Sequence, residues 1–232
     1  MKTLLCPTLS FSGLFALLLL SACGGKPNKD NSENSAAFDS IKAPVYSGYT
    51  AIGVTHLVKD YHEWLDAYIS DSDPQSRISV YASPDDPNLI TVFELTKSHT
   101  DARNTFSSDL LKKEMEKSGV TSVPSLQFYD IKFRSSDQTA KTYRLGVTHK
   151  VENYEKWKKI FDEDEPIRKE AGLELRAIST NAEDPLTVNV MFATDDIGKA
   201  KDLINSDDLK KRMAKGGVRS KPILTVLKVP EP

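Results

Sequence analysis

The chain has 232 residues, with 31 Lys and Arg against 33 Asp and Glu, a formal net charge of −2. No basic stripe emerges from this balance, so nucleic acid is not a favoured partner. There are only two cysteines, Cys6 and Cys23, so no disulfide framework supports the fold, and stability has to come from a packed core.

The N-terminus reads as a targeting segment. Lys2 supplies a positive charge, and an apolar run from Phe11 to Leu20 follows. The run ends in Leu20-Ser21-Ala22-Cys23-Gly24, with small residues before the cut as in a signal peptide. This ending resembles the lipobox of bacterial lipoproteins. The resemblance implies that residues 1–22 are removed and that the Cys23 thiol is acylated, making the membrane a partner through a lipid anchor. Gly24 carries no charge, so the expected address is the envelope, with the outer membrane favoured over the inner. An uncleaved membrane anchor over residues 3–25 is the alternative, because about 20 apolar residues suffice to span. Pro7, Ser10, Ser12 and Gly13 dilute that stretch. Residues 23–48 are rich in Asn, Ser, Lys and Asp and too polar to offset ordering entropy. They read as a tether, with an arm packed through Phe38 and Val45-Tyr46 as the alternative.

From residue 49 the chain is written twice. A shift of 93 lays Gly53-Val54-Thr55-His56 on Gly146-Val147-Thr148-His149, and Val58, Tyr61 and Trp64 on Val151, Tyr154 and Trp157. Further on the shift is 98. It lays Asp86-Pro87 on Asp184-Pro185, and Met115, Gly119, Val120 and Pro124 on Met213, Gly217, Val218 and Pro222. The copies are expected at 49–133 and 142–232, joined by a polar linker over 134–141.

In the first copy the patterning predicts strands over 49–57, 77–82, 89–95 and 124–133, and helices over 60–69, 100–106 and 108–118. In the second copy, alternation in 143–151 predicts a strand with Leu145, Val147, His149 and Val151 on one face. Val151, Tyr154, Trp157 and Phe161 form one apolar stripe of a helix over 153–163. Residues 165–172 read as an extended charged stretch. Strands over 173–180 and 186–194 flank a turn at Asn181–Pro185. Asp195 and Ser206 are candidate N-caps of a broken helix ending at Gly216-Gly217, and 222–229 makes the last strand. Each copy is thus a βαββαβ, ferredoxin-like unit.

A strand ending in His, then V-x-x-Y-x-x-W, a D-P turn, and a helix ending K-x-G-V with Pro four residues later resembles the dimeric α/β-barrel superfamily, which includes antibiotic-biosynthesis monooxygenase-like domains. The resemblance spans residues 49–229, once per copy. It implies an α+β fold in which tandem ferredoxin-like units close an intrachain, pseudo-dimeric barrel around a cavity. It also implies two activities to weigh: a module binding a small molecule or an envelope protein, or a cofactor-independent monooxygenase or isomerase. Haem-degrading members use an Asn, Trp and His set that has no assignable counterpart in this sequence.

Among chemistry-bearing residues, His56 and His149 each end a first strand. A His facing a cavity could serve as a base or ligand; a His hydrogen-bonded at a strand end is the favoured plain reading. Trp64 and Trp157 read as core on helix stripes rather than as ligand platforms. The second copy, with Arg168 before its second strand, is the expected keeper of any site. Arg168 would hold an anionic ligand at the mouth, or pair with Glu165 or Glu170 on an exposed helix end. His62 and His99 stand alone, no metal spacing is present, and no nucleotide or nucleophile motif occurs. No cofactor is expected.

Overall fold

The computed structural model describes residues 49–230. The expected signal peptide over 1–22, Cys23 and the expected tether over 23–48 lie outside these residues. Among the described residues no helix is long and apolar enough to cross a membrane.

The elements run β1 (Thr50–Leu57), α1 (Tyr61–Asp71), β2 (Arg77–Ala82), β3 (Leu89–Thr96), α2 (His99–Ser107), α3 (Asp109–Lys117) and β4 (Ser125–Arg134) in the first half. The second half has β5 (Tyr143–Lys150), α4 (Tyr154–Glu163), α5 (Glu165–Glu170), β6 (Glu174–Asn181), β7 (Thr187–Thr194), α6 (Ile197–Asn205), α7 (Asp207–Lys215) and β8 (Ile223–Lys228). All strand pairs are antiparallel, and they close in the order β1-β3-β2-β8-β5-β7-β6-β4. Each half contributes four consecutive strands of the ring, and each half's last strand meets the other's second.

Helix starts repeat between the halves because the caps repeat. Asp60 and Asn153 accept the N–H of Glu63 and Lys156 at the start of α1 and α4. Ser108 and Ser206 do the same for α3 and α7. The cap of α6 corrects the sequence reading. It is Asp196, whose side chain accepts from the Lys199 N–H; Asp195 instead accepts from the Thr142 N–H at 2.9 Å and pairs with Lys141. The charged stretch over 165–172, longer than its counterpart in the first half, folds locally. Residues 165–170 form α5, with Pro166 in its first turn, where a missing N–H costs nothing. Gly172, at φ +73°, then turns the chain into β6.

The two faces of the barrel wall do different work. Outward residues such as Ile52, Val54, Ile90 and Val92 in one half, and Leu145, Ile178, Val188 and Phe192 in the other, pack under the helices and are buried. Trp64 and Trp157 seal these layers at 3% and 4% exposure, so they are core residues.

The two junctions between halves are unequal. β4 pairs β6 from Tyr129↔Asn181 to Arg134↔Ala177. β2 meets β8 in the single pair Ala82↔Lys228. Where β4 runs on through Ile131-Lys132-Phe133-Arg134, β8 ends at Lys228 and is followed by Val229-Pro230. Pro230 has no N–H to donate, which ends the ladder.

Candidate functional site

Alternation along the strands sends every second residue into the barrel. Inside lies a cavity of about 230 Å³ walled by both halves. Glycine opens the middle of each first strand: Gly53 lies opposite Phe93 and Gln127, and Gly146 lies opposite Met191 and Thr225. A Cβ on Gly53 would approach Tyr129 to 3.0 Å and Phe93 to 3.1 Å, so those rings occupy the space a side chain there would need.

Positions that correspond by the 98-residue shift differ sharply across the lumen. Tyr81, Phe93 and Tyr129 of the first half stand where the second half has Ser179, Met191 and Leu227, and all six line the cavity. The aromatic rings touch one another, with Tyr81–Phe93 centroids at 6.2 Å and Phe93–Tyr129 at 6.1 Å. Burial pushes the Tyr129 phenol up to about 12, so it stays protonated and donates to the Gln127 side-chain carbonyl. Facing this wall are Thr148 and Asn189, joined by a 2.8 Å hydrogen bond from Thr148 Oγ1 to Asn189 Oδ1. The Asn189 Nδ2 is buried with no partner among the described residues. A polar cleft of about 440 Å³ shares Gln127, Thr148, Asn189 and Thr225 with the lumen, so the two spaces abut at these side chains.

Elsewhere the lumen is bordered by Arg134, Arg176 and the linker residues Ser135, Ser136 and Asp137. Arg176 donates to the Ser135 hydroxyl at 3.5 Å and to the Asp137 carbonyl. Both acceptors are neutral. Arg144, 1% exposed, takes the place that Ala51 has in the first half. Its guanidinium donates to the carbonyls of Lys141 at 2.7 Å and Tyr143 at 3.3 Å, and it lies 5.5 Å from the Tyr81 ring centroid.

The histidines singled out from sequence face the other way. His56 and His149 point under the helices, 5.3 Å from Trp64 and 5.7 Å from Trp157 between ring centroids. Neither lines the lumen. The favoured expectation of a hydrogen-bonded strand end does not hold, because all four ring nitrogens are buried without partners among the described residues. Burial pulls both imidazoles down to about 4, so both are neutral at pH 7. His149 and Arg168 border one small apolar cavity of about 70 Å³ between the second half's sheet and helices, together with Trp157, Phe161, Leu203 and Met213.

Arg168 is not on an exposed helix end. It is 8% exposed, its guanidinium lies 3.7 Å from the Phe161 ring centroid, and it donates to the Phe161 carbonyl. Glu165 pairs with Lys169 instead, and Asp164 with Arg212 at 3.0 Å. His99 stays near Asp130 at 3.6 Å, and among the described residues no cluster could hold a metal ion. Arg144, Arg176 and Asn189 carry no signal in the sequence, because a polar residue in a half-buried strand ordinarily reads as solvent-facing.

The described residues form an α+β closed barrel of eight antiparallel strands and seven helices. Solved structures that resemble it include several described as monooxygenases or monooxygenase-like. A protein from Lactobacillus acidophilus carrying a provisional monooxygenase assignment superposes with a TM-score of 0.50 at 10% identity, covering 77% of this chain and 93% of its own. A similarly described protein from Fusobacterium nucleatum gives 0.48 at 13% identity, over 79% and 93% of the two chains. A monooxygenase-like protein from Listeria innocua gives 0.47 at 8%, over 79% and 95%. At these identities the likeness concerns the fold alone. No family model matches the sequence, and no curated protein matches it.

Proposed function

We propose that this chain is a lipid-anchored protein of the bacterial envelope whose two ferredoxin-like halves act as a pseudo-dimer, and that it binds a small molecule inside the barrel. The observation that carries the reading is the unfilled lumen. A barrel of eight strands is just wide enough for side chains to fill or for one small ligand. Glycines at 53 and 146 and small residues at 51, 55, 79, 177 and 179 leave this one open. A filled lumen would have favoured docking to an envelope protein instead. A dry cavity of about 150 Å³ holds one benzene ring, so about 230 Å³ suits a ligand of one or two rings.

The test is a titration calorimetry panel of small molecules on the purified protein, repeated with Ser179→Phe. That ring would enter the lumen opposite Tyr81 and abolish binding of a true lumen ligand. A ligand that binds the variant unchanged would place the site elsewhere.

A second reading, cofactor-independent oxygenation or isomerisation, takes its support from the small cavity beside His149 and from the provisional assignment of the Lactobacillus neighbour. Its test is oxygen uptake or substrate turnover that His149→Ala removes. The low basicity of a buried, unpartnered imidazole weighs against His149 as the base.

A further inference from the structure

We infer that the lumen recognises a small organic carboxylate, with its apolar ring body against Tyr81, Phe93 and Tyr129 and its charge held by Arg176. The inference rests on the lumen being the ligand site. It adds the chemical class.

The first support is the aromatic wall on one side only. Tyr81, Phe93 and Tyr129 present a continuous set of ring faces and edges, while Ser179, Met191 and Leu227 opposite leave depth for a flat body. Aromatic pairs favour such offset and edge-on packing.

The second support is the charge at the linker end. Two guanidinium groups, Arg134 and Arg176, line the cavity beside one carboxylate, that of Asp137. Asp137 reaches Arg176 through its main-chain carbonyl, and Ser135 through a hydroxyl. Arg176 therefore carries a full positive charge against neutral acceptors, in a space partly shielded from water. A carboxylate there would gain a charge-assisted, two-pronged hydrogen bond. The Asn189 Nδ2, which lacks a partner among the described residues, is a further donor elsewhere on the lumen wall.

Arg176 corresponds to Ile78 of the first half by the 98-residue shift, and Ile78 also lines the cavity. The Arg176 charge is thus carried by the second half and the stacking wall by the first, with Arg134 at the end of β4 adding a second cation at the linker end. A symmetric ancestor would have had both twice or neither. The division gives a single orientation to a ligand with a charged end and an apolar end.

The experiment uses 2-naphthoate and its neutral analogue 2-naphthalenemethanol, titrated calorimetrically against the protein at pH 7.5. The expected result is one site per chain, with naphthoate favoured by about tenfold or more, as a charge-assisted bond implies. Arg176→Gln should collapse that ratio towards one while leaving the alcohol's affinity in place, and Arg176→Lys should restore part of it. A loss of linker packing alone would weaken both probes equally and leave the ratio unchanged. Equal affinities in the unaltered protein, both lost with Ser179→Phe, would overturn the carboxylate inference and leave the lumen site standing. Binding of either probe that survives Ser179→Phe would overturn the lumen itself, and no binding of either probe would overturn the inference.

Discussion

Replacing His149 by leucine should make the protein more resistant to acid, by an amount the structure allows to be worked out. The imidazole sits against Trp157 with neither nitrogen partnered among the described residues, and burial holds its pKa at about 4 against 6.5 for the free side chain. A base whose folded pKa is depressed binds fewer protons folded than unfolded. Its neutral form therefore costs no stability above pH 6.5, and stability falls as the pH drops from there to about 4. At pH 5 the linkage amounts to about 2 kcal/mol for His149 and about the same for His56, whose pKa is also about 4. Against a typical total of roughly 5–15 kcal/mol, the pair is a large fraction. Urea denaturation at pH 8 and pH 5 reads it directly. His149→Leu should reduce the loss of stability between the two pH values by about 2 kcal/mol, and the double variant with His56→Leu by about 4. Comparing variants cancels other titrations, such as that of Glu94, whose carboxyl burial raises and which works in the opposite sense. If wild type and double variant show the same loss, the histidines are not buried neutral bases and the reasoning is refuted.

Four further outcomes follow from the same structure. Trp157→Ala and Trp64→Ala should each lower stability by about 3–5 kcal/mol, read by denaturant midpoints, since both rings are buried between sheet and helix. Ser206→Ala should lower it by about 1 kcal/mol through loss of the α7 cap, with Ser206→Asp largely neutral. Amides along the β2/β8 junction should exchange with solvent well before those of β4/β6, because one junction is a single pair and the other a ladder. Cys23→Ser should accumulate as unprocessed or as soluble protein; unchanged processed mass and membrane fractionation would remove the lipid anchor.

Much of the barrel was legible in the sequence because it was stated twice. One copy's faint alternation was checked by the other's, and the Gly-Val-Thr-His strands, Asp-Pro turns and Ser caps placed the strands within about two residues. Legibility failed where two local solutions were equally good. Asp195 and Asp196 both suit an N-cap, and only the Thr142 N–H across β5 decides between them. Glu165–Glu170 reads only as a charged stretch, and the burial of Arg168 over the Phe161 ring, not local pattern, sets how α5 sits. The candidate site was the harder part. Strand parity separates His149 from Gly146, but it cannot say which face becomes a lumen. That depends on closure through β4/β6 and β2/β8, between residues far apart in the chain. The residues that give the lumen its chemistry, Arg176, Asn189 and the Tyr81–Phe93–Tyr129 wall, sit in no motif. They acquire meaning only by facing one another.

The central claim is that the ligand site is the barrel lumen, and chemical-shift mapping with 2-naphthoate tests it most directly. Bound ligand should move the backbone amides of Gly53 and Gly146, at the centre of the lumen wall, and leave the Trp157 indole and the Leu203 methyls in place. Shifts confined to Trp157 and Leu203, with Gly53 and Gly146 unmoved, would put the site between sheet and helices and contradict the claim.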